Sequence, residues 1–559
     1  MKRLLTMLLA MVLVLGCMAP AMADPGSKPV WTEYDKLIDE IKSTTDFVDR
    51  EALMHKAEDI LMATGGLCPL YYYNDMSMMR TGVEGFFSNV YNNKFFQYAT
   101  YGDNSVLRIN LTSEPDKLDP ALNSTVDGSS LAVTAFGGLY AYNAEGQTVP
   151  DFAESCAVSE DGLTYVFTLR DGLKWSDGTP LTAKDFEYSW KRAANPETAA
   201  DYSYMYNGIA GFEENDLQVK ASEDGKTFTV QLAAPCAYFF DLAAFPTFFP
   251  VNQACVESAV GYKDDTGAMA NPGAWALEAG FVSSGAYTLQ AWEHNQSMTY
   301  VKNPNYWNAE NVKIEKLEFM LSADETAIFS AYQAGDLDFI DIVPTDEIVK
   351  LKGTPECYIV PCLGTYYVTF NVANAMFDGM TVDQASAMRR GLSALIDRQY
   401  IIDTVAMCEQ EIATTFIPSA MLDGHGGEFK KDDADYTYPV NGGYYEKEPN
   451  VDAAIALLEE AGFKFENGML SPETPIAFEY LTNDNSGDVA IAECIQQDMA
   501  VIGVDMTIKS AEWNVFLNER KAGNYGISRN GWMADFNDPV NMLEMWTTTS
   551  GNNDAQFGR

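Results

Sequence analysis

An α/β fold built from several lobes is what this sequence predicts, and three observations carry the prediction. Short runs such as 106–111 alternate apolar and polar residues, the period of a half-buried strand. Longer stretches with helical period and explicit caps separate those runs, as at 182–193. This alternation continues from Ser105 to the end of a 559-residue chain, well beyond one compact domain of ~100–200 residues.

The elements justify themselves in order. Asp161-Gly162 opens a strand at 163–169 that Asp171-Gly172 closes, and Asp177-Gly178-Thr179-Pro180 is a turn. Thr182, with Asp185 three residues on, forms a capping box, and the helix behind it carries Phe186, Trp190 and Ala193 on one face. Ser222-Glu223-Asp224-Gly225 echoes Ser159-Glu160-Asp161-Gly162 before a second aromatic strand; these are two similar hairpin edges and not a repeat. Helices follow at 324–334, 383–396, 451–461 and 490–502, and Gly335, Gly462 and Gly503 stop three of them. A strand at 505–509 follows the last. Arg389, Arg390 and Arg398 gather near the C-terminal end of the second helix, where cations suit the dipole. The polar stretch 430–450 reads as surface loop.

Composition narrows the partners. With 36 Lys+Arg against 80 Asp+Glu the formal charge is −44. That argues against nucleic acid, which needs clustered cations, and against a basic surface on anionic lipid. The 47% apolar and 12% aromatic content is ample for large cores. Lys2 and Arg3 precede an apolar run at 4–16, the pattern of a secretion signal, too short to span a bilayer. Ala21-Met22-Ala23 offers cleavage before Asp24. Val14-Leu15-Gly16-Cys17 resembles a bacterial lipobox with an unusual Leu15 and would make Cys17 a lipidated first residue. Either reading places the working protein outside the cytoplasm.

Eight further cysteines (Cys68, Cys156, Cys236, Cys255, Cys357, Cys362, Cys408 and Cys494) form no C-x-x-C and no zinc spacing, so disulfides and buried thiols both stay open. The sequence holds three histidines and lacks G-x-S-x-G, H-E-x-x-H, a P-loop and G-x-G-x-x-G. Eighty carboxylates make some close pair inevitable and so carry no specificity for glycoside hydrolysis. His425, between Gly424 and Gly426, reads as a solvated loop residue. The expectation is a non-enzyme with no cofactor and no metal.

One long run decides the family expectation. Residues 165–186 pass from Tyr165-Val166-Phe167 through Arg170-Asp171-Gly172-Leu173-Lys174-Trp175-Ser176-Asp177-Gly178-Thr179-Pro180 to Lys184-Asp185-Phe186. With Tyr188-Ser189-Trp190-Lys191-Arg192, Asn303-Pro304-Asn305-Tyr306-Trp307 and Gly531-Trp532-Met533-Ala534-Asp535-Phe536-Asn537-Asp538-Pro539, it strongly resembles the peptide-binding family of solute-binding proteins of bacterial ABC importers. The resemblance implies a type II periplasmic-binding-protein fold: two lobes that close over a peptide, plus an extra domain. The implied partners are a peptide ligand and the permease and ATPase of an importer, with the protein itself a monomer.

The resemblance also implies site residues. Asp535 is the anchor for a peptide α-amino group, and Arg529 and Arg520 match positions that meet the carboxylate end of short peptides. Trp513 and Trp532 match walls of side-chain pockets. Gly531 and Met533 belong to the same motif, Tyr202, Tyr367, Asn483 and Tyr73 match further lining positions, and Val126 supplies main-chain contacts. Two departures stand out. Asp488 falls where some members carry a histidine for the peptide carboxylate, and Gly364 and Met533 fall where some carry a disulfide.

The order of the segments differs from that of the family. The run 106–123 resembles the family's mature N-terminus, whereas residues 31–100 resemble its C-terminal end, with helices at Tyr34-Asp35-Lys36 and 50–62 and then Pro69-Leu70-Tyr71-Tyr72-Tyr73. A circular permutation is expected, with the old ends joined through Tyr101–Ser105 and the segment folding back in cis; the alternative is a swap into a neighbouring molecule. The implied organisation is a signal peptide at 1–23, a permuted piece of lobe 2 at 24–70, and lobe 1 at 71–145. An extra domain follows at 146–267, then lobe 1 again at 268–362 and lobe 2 at 363–559.

Overall fold

The computed structural model describes residues 26–111, 113–431 and 435–559; the expected signal segment and Cys17 lie outside the described residues. Among the described residues, eleven strands form the main sheet. They are β1 (Leu67–Met79), β2 (Val106–Asn110), β3 (Tyr287–Glu293), β4 (Ser297–Lys302), β5 (Lys316–Met320), β6 (Phe339–Ile340), β7 (Cys357–Phe370), β8 (Glu411–Ile412), β9 (Ala477–Asn483), β10 (Asp505–Ala511) and β11 (Ile527–Met533). Their spatial order is β3-β4-β5-β2-β6-β1-β7-β11-β9-β10, with β8 paired to β1. The β5–β2, β2–β6, β9–β10 and β9–β11 pairs are parallel.

Two strands hold the two halves of this sheet together. β1 and β7 are 13 and 14 residues long and pair antiparallel along most of that length. Both carry three Tyr, with three Met in β1 and two Val in β7, as befits strands largely covered on both faces. Their register slips between Pro69 and Tyr71 and again between Tyr72 and Asn74, and bulges of this kind bend a strand pair. Up to the second slip the pair borders β8, at Tyr71 and Tyr72, and β11, along 364–370; beyond it, at Met78 and Met79, it borders β6. A bend at Tyr73 and Gly364 therefore lies between the two halves.

A separate four-stranded sheet orders Ala153–Val158, Thr164–Leu169, Thr227–Gln231 and Val219–Ala221. The helix Ala183–Ala194 covers it. Its Thr182–Asp185 capping box forms in both directions, and Phe186 and Trp190 are wholly buried against Phe228.

The N-terminal helices α1 (Thr32–Ser43) and α2 (Phe47–Ala63) pack on the C-terminal segment of the same chain. The Trp31 indole donates to the Trp546 carbonyl (2.8 Å) and stacks on Phe557 at 4.1 Å. Tyr34 donates to the Leu543 carbonyl (2.8 Å), and Arg50 grips Asp538 through two bonds of 2.7 and 2.8 Å, both residues being buried. The expected join at 101–105 contains a tight turn closed by Asn104 N–H to the Tyr101 carbonyl (2.9 Å).

Two expectations need correction. Arg389 and Arg398 do not dress a helix end at the surface. They are wholly buried: Arg389, on the helix Val382–Ser393, donates twice to the Thr64 carbonyl just before β1 (2.7 and 2.9 Å), and Arg398, at the start of the helix Arg398–Ile401, donates to the Pro69 carbonyl on β1 (2.8 Å). The 430–450 stretch, where described, is also anchored: Tyr445 is buried on the Leu67 carbonyl (2.8 Å), and Tyr436 and Tyr444 both donate to Asp59. The aromatic hydroxyls were the overlooked signal there. The eight cysteines among the described residues are free thiols, four of them buried.

Candidate functional site

The site is built at the end of β11. Gly531, Trp532 and Met533 finish the strand, and Ala534 is held to the neighbouring strand β7 by its N–H on the Leu363 carbonyl (2.6 Å). The next residue, Asp535, is 7% exposed. Its Oδ1 accepts from the Tyr202 hydroxyl (3.1 Å), which comes from the segment carrying the small sheet, and its Oδ2 accepts from Asn541 Nδ2 (2.9 Å). Asn541 also takes the Asp535 N–H (3.0 Å) and the Trp532 indole N–H (3.1 Å) on its own oxygen. One amide thus fixes the carboxylate and the indole together.

The electrostatics of Asp535 are unusual. Burial pushes its carboxyl up to about 7, a rise that the hydrogen bonds from Asn541 and Tyr202 only partly offset. Nearby Glu544 adds like-charge repulsion. Among the described residues no Lys, Arg or His forms an ion pair with it, so this buried carboxylate has only neutral donors. A cation delivered by a ligand would meet a carboxylate that is already oriented and desolvated.

Asp535 lines a cavity of about 70 Å³ together with Val126, Tyr202, Gly531, Trp532 and Met533 from the sequence expectation. Tyr91, Asn93, Asn123, Ser129 and Phe245 also stand in the wall. The Val126 side is the start of the helix Val126–Ala135, whose N-cap Thr125 accepts from the Gly128 N–H. A space of this size holds on the order of two waters, so an oligopeptide needs the two halves to part first. The sequence pointed to Val126 but missed Asn123; the Asn-Ser-Thr cap was its legible trace. Asn541 was also missed, although it sits six residues past Asp535 in the same motif.

A second cavity of about 280 Å³ opens on the far side of Met533, with Tyr73 and Asp488 in its wall. It is rich in carboxylate: Asp75, Asp341, Glu325 and Asp488 all reach it. Lys94, wholly buried, lies between Asp75 (2.8 Å) and Asp341 (3.1 Å). Tyr73 also explains Gly531, because an added Cβ there would overlap its hydroxyl and stand 3.1 Å from its ring.

The arginines are not placed as expected. Arg529 faces Asp488 at 3.4 Å and is boxed by the rings of Tyr366, Phe516 and Trp513 at 5.1, 5.6 and 5.8 Å. Arg520 faces Asp554 at 2.8 Å. Both guanidinium groups thus already have an internal carboxylate. Tyr366 reinforces the arrangement by donating to Asp488 (2.9 Å). Tyr367 is not a lining residue either: it is fully buried against Phe416 and Trp546. Asn483, buried at the end of β9, and half-buried Trp513 lie outside the Asp535 cavity. Gly364 and Met533 are cross-strand partners with no room for a Cβ at 364, since the Trp532 carbonyl would be 2.7 Å away.

Residues 147–554 match the model of the bacterial extracellular solute-binding proteins, family 5. The chain belongs to that family. It is 33% identical to the oligopeptide-binding protein OppA of Bacillus subtilis over 465 residues, 80% of this chain and 78% of that protein. It is 31% identical to the periplasmic oligopeptide-binding protein OppA of Escherichia coli, over 82% and 80% of the two chains. Among solved structures, the murein tripeptide binding protein MppA of E. coli superposes with a TM-score of 0.70 at 28% identity, covering 82% of this chain and 84% of that one. Haemophilus influenzae OppA in complex with RPPGFSPFR gives 0.69 at 28% identity, covering 81% and 85%. The mixed α/β architecture of this solute-binding protein is accordingly the type II periplasmic-binding fold.

Proposed function

We propose that this solute-binding protein captures oligopeptides between its two halves and delivers them to the permease and ATPase of an ABC importer, without catalysing a reaction. The observation that carries the reading is Asp535, a buried carboxylate with neutral donors on both oxygens at the edge of a cavity. A peptide α-ammonium supplies the missing cation and fixes register, while main-chain donors and acceptors along the cleft bind any sequence. The names of the relatives, and the peptide in the Haemophilus influenzae complex, support peptide as the ligand class. The protein acts outside the cytoplasm as a monomer, either held at the membrane by lipid on Cys17 or released after cleavage before Asp24.

The lobes follow the bend in β1 and β7: lobe 1 is 71–145 with 268–362, lobe 2 is 24–70 with 363–559, and the extra domain is 146–267. Residues 31–100 are the relatives' C-terminal segment in a new place, folding back in cis. Two findings support this permutation. Collinear matching leaves about a fifth of both this chain and its relatives uncovered. Trp31, Tyr34 and Arg50 also lock onto Trp546, Leu543 and Asp538.

The function is tested by titration calorimetry with defined di- to pentapeptides on the wild type and Asp535→Ala. Binding that weakens sharply in the variant supports the reading. If no peptide binds the wild type, the peptide assignment fails; if the variant binds equally, the amine role fails.

A further inference from the structure

Outside the residues that line the cavity of Asp535, three metal-ligating side chains from two segments distant in the chain converge. Glu51 stands on α2, and Asp423 and His425 stand on the glycine-rich loop that follows Leu422. One oxygen of each carboxylate and a ring nitrogen of His425 all lie within 4.8 Å of one another. His425 Nε2 is 2.8 Å from Glu51 Oε2 and 3.7 Å from Asp423 Oδ2. We propose that Glu51, Asp423 and His425 form a site for a divalent transition-metal ion of the zinc type, which clips α2 onto the 423–427 loop.

The donor set decides the class of ion. One imidazole and two carboxylates suit a borderline cation such as Zn²⁺, whereas Ca²⁺ and Mg²⁺ prefer all-oxygen shells. The two carboxylates are almost wholly buried, with Glu51 at 4% and Asp423 at 2% exposure. Nε2 lies within hydrogen-bond distance of Glu51 Oε2 and beyond that distance from Asp423 Oδ2, so a single proton on it would serve one carboxylate only. A metal ion in their midst would serve both oxygens and the nitrogen together.

The supporting contacts are those a ligand shell needs. Asp423 Oδ1 accepts the N–H groups of His425 (2.7 Å), Gly426 (2.9 Å) and Gly427 (3.0 Å), which turns its other oxygen toward the imidazole. Glu51 is fixed on a 17-residue helix. Tetrahedral zinc with ligands at about 2.0–2.1 Å sets its donor atoms roughly 3.3 Å apart. The Asp423 oxygen is near that spacing already, and the Glu51–His425 pair needs about half an ångström more. Gly424 and Gly426, with φ of 88° and 115°, flank His425, and an added Cβ at 426 would meet nothing within 4 Å, so the loop has space to yield. The imidazole edge is about a third exposed, which leaves the remaining coordination position to water.

The test is titration of the metal-stripped, full-length protein with Zn²⁺ alone, read by calorimetry and by thermal unfolding, with Ca²⁺ and Mg²⁺ as controls. One equivalent of zinc should bind with micromolar affinity and raise Tm by several degrees. His425→Ala and Glu51→Gln should each weaken binding at least 30-fold and abolish the Tm shift while the circular dichroism spectrum stays native. Zinc bound through free thiols would survive His425→Ala and would overturn the proposal. No saturable zinc binding to the wild type would overturn it as well, as would equal binding of Ca²⁺. Peptide titration of the same samples keeps this outcome separate from the peptide-binding reading.

Discussion

Replacing Asp535 by Asn separates a carboxylate that stabilises the fold from one kept for a ligand. The wild-type group sits at about 7 when folded, against an ordinary value of 3.8. Its folded value is the higher one, so the folded protein holds the extra proton. The resulting destabilisation is absent below about pH 4, grows between about pH 4 and 7, and is complete above that. At pH 8 the difference amounts to roughly 4 kcal/mol, since each tenfold change in proton affinity is worth about 1.4 kcal/mol. Asp535→Asn removes that cost but gives up one acceptor to Asn541 or Tyr202, worth about 1–2 kcal/mol. The ligand-free variant should therefore be about 2–3 kcal/mol more stable than the wild type at pH 8 and no more stable at pH 4, as measured by denaturant unfolding at both pH values. Peptide affinity should move the other way. At pH 5 only about 1% of the wild-type carboxylate is ionised, so affinity should fall by close to 80-fold from pH 7.5, and the variant should show no such slope. A variant that is less stable at pH 8, or that keeps the wild-type pH profile of binding, would refute the reasoning.

Three further outcomes follow from the same geometry. Asp488→Asn leaves Arg529 without its internal partner, so peptides with a free C-terminal carboxylate should gain about 5–30-fold over their C-terminal amides, measured by calorimetry on matched pairs. Arg50→Ala strands the buried Asp538 carboxylate and should cost about 3–5 kcal/mol in denaturant unfolding, with Arg50→Lys in between, because Arg50 holds α2 to the C-terminal segment through two bonds. Size-exclusion chromatography with light scattering should report a monomer; a dimer that disappears when residues 26–100 are deleted would replace the cis arrangement by a swap.

Local chemistry was legible in the sequence where it depends on near neighbours. The Thr182–Asp185 box, the Asp324 cap with its Gly335 stop, and the Trp532–Asp535 motif all declare themselves within a few residues. What stayed hidden depends on pairing across the chain. Arg529 and Asp488 are 41 residues apart, and only the strand and helix placement brings Asp488 in to neutralise a guanidinium that the sequence left free. Tyr366 and Tyr367 are adjacent on β7 and so point to opposite faces, and a register shift of one residue would exchange them. The observed register turns Tyr366 toward Asp488 and buries Tyr367 against Trp546. His425 read as a solvated loop residue because its partner Glu51 lies 374 positions away.

The central claim is that the buried Asp535 carboxylate recognises a peptide amine. Calorimetric titration of the wild-type protein with one tripeptide in two forms, free and N-acetylated, tests it most directly at pH 7.5. Loss of a buried charge partner costs about 2–5 kcal/mol, so the free amine should bind at least 30-fold more tightly. Equal affinity for the two forms would contradict the claim.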